Sequence, residues 1–139
     1  MLVFQINGLE LIVIAVINFF LSWLWYSPVL FAKPWMKALK WPADRVMTDA
    51  DKKAMPGLFI GGLVASFALS FVLQVICHSV GAADFFTGLL VGVLAWFGFA
   101  LTHSLNTLWE GRSPVVLTIN NGLFLLTYAV FGGIIGVWH

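Results

Sequence analysis

An imidazole, an amide and a carboxylate recur at helical spacing near the end of the third apolar run of this chain: His103, Asn106 and Glu110. On an α-helix they fall within roughly 60° of one another and share a face. Arg112 follows at once, and Asn120 enters the next apolar run between Thr118 and Asn121. Asn18 is the most deeply placed polar residue of the first run, on a face with Ala15 and Ser22. Polar groups in lipid cost free energy unless partnered or hydrated, so this set marks where a solute could be held. In that reading Glu110 and Arg112 supply paired charge and Asn18, Asn106 and Asn120 orient a small polar or ionic solute. His103 exchanges a proton near neutral pH. The competing reading is structural. Glu110 and Arg112 pair with each other or with headgroups at a helix end, where charge is cheap, and the asparagines bond helices together. The structural reading carries more weight for the inner set and, by a smaller margin, for Asn18.

Other chemistries find no residues to carry them. Cys77 is the single cysteine, which excludes an intrachain disulfide and a sulfur-ligated metal site. His78 lies near the outer end of the second run, His103 in the inner part of the third, and His139 at the end of the chain, outside. No two share a level, so no axial pair for a haem forms, and no cofactor or metal is expected. Nucleophile elbow, phosphate-binding loop, paired catalytic carboxylates and metalloprotease motif are all missing from the sequence, so the chain is not read as an enzyme. Glu10 stands three residues after Asn7, the spacing of a capping box with Glu10 reaching back to the N-cap. It lies too near the outer mouth to act as a midplane coupling carboxylate. Gln74 sits in the outer half of its run, open to the same two readings as Asn18.

The elements that position these groups follow from apolarity. Of 139 residues, 61% are hydrophobic and 9% charged, with a mean hydropathy of +0.99, so lipid must solvate much of the surface. Four runs read as membrane helices, about 8–27, 57–79, 85–109 and 115–138, in a single membrane domain spanning 1–139. A linker over about 33–56 holds six of the seven Lys and Arg, and Arg112 is the seventh. Both basic gaps fall on one side, so the positive-inside rule places them in the cytoplasm and both termini outside. No basic residue precedes Lys33, so the first run is read as a retained helix rather than a cleaved leader. The net charge of +1, gathered beside the membrane, argues against a nucleic-acid partner.

Pro34 to Trp41 reads as a short interfacial helix, with Lys33, Lys37 and Lys40 toward anionic headgroups and Trp35, Met36 and Leu39 toward acyl chains. The same lysines also serve as the topology determinant, the weightier of their two roles. Gly57, Gly61 and Ala65 form a small-residue ridge, as do Gly62, Ser66 and Ser70. Together with Gly88, Gly92, Gly132 and Gly136 these glycines are expected to let helices approach closely. Gly81 to Asp84 reads as a tight external turn closing a hairpin.

The run Leu24-Trp25-Tyr26-Ser27-Pro28-Val29-Leu30-Phe31, with Lys33 and Trp35 after it, resembles the opening signature of the family catalogued as domain of unknown function 1761. A second match lies at Asn106 and Trp109-Glu110-Gly111-Arg112, followed by Asn120 or Asn121. The resemblance implies a four-helix membrane fold and no particular activity. The sequence therefore specifies an all-α antiparallel four-helix bundle in the plasma membrane, with a short interfacial helix between the first two spans. Its partners are the bilayer, anionic headgroups, and either copies of itself or a larger membrane complex. Its expected role is oligomeric permeation of a small polar or ionic solute through the inward-facing set. The alternative is a non-catalytic accessory subunit.

Overall fold

A computed structural model describes residues 1–42 and 44–138. The expectation that His139 lies outside the membrane falls on a residue beyond those described, as does the place of Ala43 in the linker. Every regular element among the described residues is helical: α1 (Gly8–Trp25), α2 (Ala32–Ala38), α3 (Asp49–Val80), α4 (Phe85–Ala95), α5 (Thr102–Asn106) and α6 (Pro114–Val137). A π-helical segment, Trp96–Leu101, joins α4 to α5, and a 3₁₀ turn, Thr107–Glu110, follows α5. Phe85–Glu110 is thus one interrupted span, and α1, α3, this span and α6 are each long and apolar enough to cross a membrane.

The ends of these helices differ from the sequence expectation in instructive ways. Asn7 caps α1, its side chain accepting from Leu9 N at 3.0 Å and Glu10 N at 3.2 Å. The expected return bond from Glu10 is replaced: the Asn7 N–H donates to Gln74 Oε1 on α3 at 2.8 Å. A tertiary partner has displaced the local one, and Glu10 turns inward, 1% exposed. α1 ends at Trp25, short of Ser27, because the chain folds back through Ser27 and Pro28 into α2.

α3 begins well before Gly57. Thr48 and Asp51 close a full capping box, and the helix runs on through Pro56. The last part of the expected linker is therefore helical. A proline inside a helix forfeits one hydrogen bond, a loss the apolar turns after it and the capped turns before it outlast. α3 stops at Gly81, whose φ of +70° is the left-handed conformation that glycine takes without strain. Asp84 then caps α4 by accepting from Thr87 N at 2.9 Å, so the turn at 81–84 is as tight as its sequence implies.

α6 is the hub, touching α1, α2, α3 and α4. Its tightest contact is with α4. A Cβ on Gly88 would overlap the Gly132 carbonyl, one on Gly92 the Tyr128 carbonyl, and one on Gly136 the Asp84 carbonyl. Those four glycines pack as expected. Gly57 and Gly61 do not: a Cβ at either would meet nothing within 4 Å, and Ala65 is exposed. Among the described residues, no helix packs against the two glycines of that ridge. α3 instead turns Ser66, Ser70, Leu73, Gln74 and Cys77 inward, toward a core of Ile14, Leu73, Cys77, Phe131 and Ile135. Between its other side and the third span lies an apolar groove of about 330 Å³, lined by Ala65, Leu69, Val72 and Ile76 of α3 with Ala95, Phe99 and Tyr128. The outer surface is phenylalanine, leucine and valine, as lipid contact requires.

Candidate functional site

Ser66, Ser70, Gln74 and His78 stand four apart on α3 and form one stripe. Asn18, Ser22 and Tyr26 repeat the same interval on α1. The two stripes join inside the molecule as one polar column. The half nearer the N-terminus of α1 belongs to α3, and the half nearer α2 belongs to α1.

At the end that holds the N-terminus, the extended residues ahead of α1 are pinned across α3. Val3 N donates to Ser79 Oγ at 2.8 Å, His78 Nδ1 lies 2.7 Å from Gln5 O, and Gln74 bonds the Asn7 backbone through both ends of its amide. A carbonyl oxygen only accepts, so the hydrogen sits on His78 Nδ1 and Nε2 is left as an acceptor. Gln5, Asn7, Glu10 and His78, with Ile6 and Trp138, line a predominantly polar cavity of about 620 Å³. Glu10 forms part of its wall.

Below this cup the column narrows. Gln74 and Ser70 are both 0% exposed, and Ser70 Oγ has no hydrogen-bond partner. One turn further, Asn18 Nδ2 donates to Ser66 Oγ at 2.5 Å, and Ser66 Oγ donates to Gly62 O at 2.9 Å. Thr127 Oγ1 of α6 donates to Asn18 Oδ1 at 3.3 Å. Asn18 thus ties three helices at one level and hands the column from α3 to α1.

The end beside α2 is closed by aromatic rings. Asn120 Oδ1 accepts from Tyr26 OH at 2.8 Å and from Trp35 Nε1 at 3.2 Å, which fastens α2 across the ends of α1 and α6. Tyr26 and Trp35 pack with ring centroids 5.2 Å apart, Trp35 and Trp41 at 5.3 Å, and Arg45 lies over Trp41 at 4.1 Å. Asn121, 5% exposed, donates to Leu117 O at 3.0 Å while its Oδ1 has no partner.

Of the six residues singled out in the sequence, the structure brings only two inside: Asn18 at the handover and Asn120 at the aromatic latch. His103 and Asn106 are exposed on the third span, and Ser104 is the α5 residue that turns inward, 9% exposed. Glu110 and Arg112 pair with each other at 3.1 Å, both side chains largely exposed. The single face assigned to His103, Asn106 and Glu110 assumes one helical pitch, and the 3₁₀ turn Thr107–Glu110 breaks it. Lys33, Lys37 and Lys40 are all exposed. Sequence reasoning passed over Thr127, took Ser66 and Ser70 for packing alone, and set Glu10 aside as a capping residue near the membrane surface. The signal that could have found the α3 stripe was its four-residue interval continuing to Gln74 and His78. Among the described residues no cluster of three or more His, Cys, Asp or Glu is placed to hold a metal.

The family model described as "Protein of unknown function (DUF1761)" matches residues 9–136, and the chain belongs to that family. No curated protein and no solved structure matches it.

Proposed function

We propose that this chain is a four-span protein of the cytoplasmic membrane that works as a homo-oligomer and passes a small polar or ionic species along its interior column. The four spans run alternately in and out as an antiparallel bundle, α2 lies in the interface, and both termini face outward. Six basic residues at 33–53 and Arg112 at the opposite end from Glu10 support that orientation. The protein is non-catalytic in this reading.

The observation that carries the proposal is the column itself. Glu10, Ser66, Ser70, Gln74 and Thr127 are at most 4% exposed, inside helices of membrane-spanning length. Packing does not call for them, because replacing buried polar and charged groups by apolar ones of similar volume is often neutral or stabilising. Oligomerisation rests on surfaces the single chain leaves open. His103 and Asn106 project from a membrane-length helix, where polar groups seek a partner, and the Gly57–Gly61–Ala65 ridge is shaped for close helix approach.

The accessory-subunit reading is favoured by a different observation, the apolar groove that continues the α3 ridge and could seat a helix of another protein. The intact assembly separates the two. Gently extracted from its membrane, the protein is expected to have the mass of a homo-oligomer. A stoichiometric larger partner would instead make it an accessory chain. In reconstituted vesicles Asn18→Leu is expected to abolish flux with folded yield retained.

A further inference from the structure

We infer that the species carried by the column is the proton, and that Ser70 is a relay in its path. The inference rests on the permeation reading above and gives it a substrate. The column has chemistry along its length but little width. Ile14, Leu73, Cys77, Phe131 and Ile135 around its outer half are 0% exposed. A metal cation or a solute crossing here would have to shed its water among side chains that offer too few oxygens to replace it. A proton needs no such room. It needs groups that accept on one side and donate on the other, and hydroxyl, carboxyl and imidazole all do.

These groups come in series. The cup presents the Glu10 carboxyl and His78, whose Nε2 stays available because Nδ1 is held by Gln5 O. Ser70 lies one helical turn below Gln74 and one turn above Ser66. Side chains so spaced are about 5–6 Å apart at Cβ, a gap that one water bridges. Ser66 is already bonded to Asn18, and Ser22 and Tyr26 continue at the same interval to the Asn120 latch. In each step an O–H or imidazole N–H bond forms on one lone pair of a hydroxyl, carboxyl, imidazole or bridging water as another breaks on its far side. The amides of Gln74 and Asn18 hold these groups in line without exchanging protons. A proton enters at the cup, another leaves inside, and no co-reactant is consumed. Ser70 Oγ is the informative member. It is fully buried and has no hydrogen-bond partner among the described residues, so it adds no helix–helix bond, yet it fills the level between Gln74 and Ser66.

The test uses the full chain in liposomes loaded with a pH-sensitive dye, with valinomycin and a potassium gradient driving protons inward. Wild type is expected to acidify the lumen faster than protein-free vesicles. Ser70→Ala, which removes no bond seen in the structure, should fold and melt as wild type yet lower the rate about tenfold or more. Ser70→Thr, which keeps the hydroxyl, should restore it. Wild-type conduction by Ser70→Ala overturns the assignment of Ser70 as a relay. Vesicles that pass rubidium or glycerol, but no protons, overturn the proton inference and leave the permeation reading standing. Vesicles tight to all three sink both.

Discussion

Between α4 and α6 the helices meet backbone to backbone, with Gly88 and Gly92 seated against Gly132, Gly136 and the Tyr128 carbonyl. Between α1 and α3 the contact is a file of amides, hydroxyls and a carboxyl, with the Asn18–Ser66 bond at its centre. Both interfaces join a pair of membrane-length helices, and both do so within one chain of 139 residues. Glycine-mediated packing is therefore available to this protein and is its tightest contact. The polar file is not the default means of holding two helices together, which is why we assign it a task beyond adhesion.

The comparison can be broken at either interface. The largest effect belongs to Gly132→Ile. Its side chain would be driven into the Gly88 backbone, which no rotamer change relieves, so a loss of about 3 kcal/mol or more is expected. Loss of monodisperse protein and a lower melting temperature in detergent are the readouts. Asn18→Leu comes next for stability and first for activity. Interhelical polar bonds in membranes average about 0.6 kcal/mol, so removing the bonds to Ser66 and Thr127 should cost about 1 kcal/mol while eliminating flux. If Asn18→Leu unfolds the protein as severely as Gly132→Ile does, the column is adhesive after all and our functional reading fails.

Gly61→Ile should leave the melting temperature unchanged, since a Cβ there meets only open space. Its effect should appear in assembly mass, as a shift to smaller species. The smallest effect is confined to the turn before α4. Asp84 accepts from the Thr87 hydroxyl and Thr87 N, and these bonds hold its carboxyl below the usual carboxylate range. A depressed carboxyl contributes stability that is present above its unfolded pKa and is lost as pH falls through the folded value. Asp84→Asn should therefore lower the melting temperature slightly at neutrality, and its difference from wild type should vanish as the pH falls below about 4.

Much of the frame was legible from the sequence because apolarity is a property of single residues. Four runs of membrane length, the tight turn at Gly81 and the α4–α6 glycines all rest on local chemistry. What escaped was whatever depended on a second element. Asn7 and Glu10 have capping-box spacing, but Gln74 on α3 takes the bond, and that choice sends Glu10 inward. The shared face of His103, Asn106 and Glu110 fails because a π-helical segment and a 3₁₀ turn bracket α5, and neither irregularity has a composition that announces it. Asn18 was recognisable as polar and deep, but its partners Ser66 and Thr127 come from helices whose rotation only packing decides.

The Asn7–Gln74 bond also bears on how the protein is made. Its two ends lie 67 residues apart, so the first helix leaves the ribosome with its capping N–H unmatched and acquires the partner only when the second span has nearly finished emerging. The same holds for Val3 and Gln5, whose anchors are Ser79 and His78. Maturation of the outer end is thus a late event in synthesis, set by the arrival of the C-terminal turns of α3 rather than by insertion of α1.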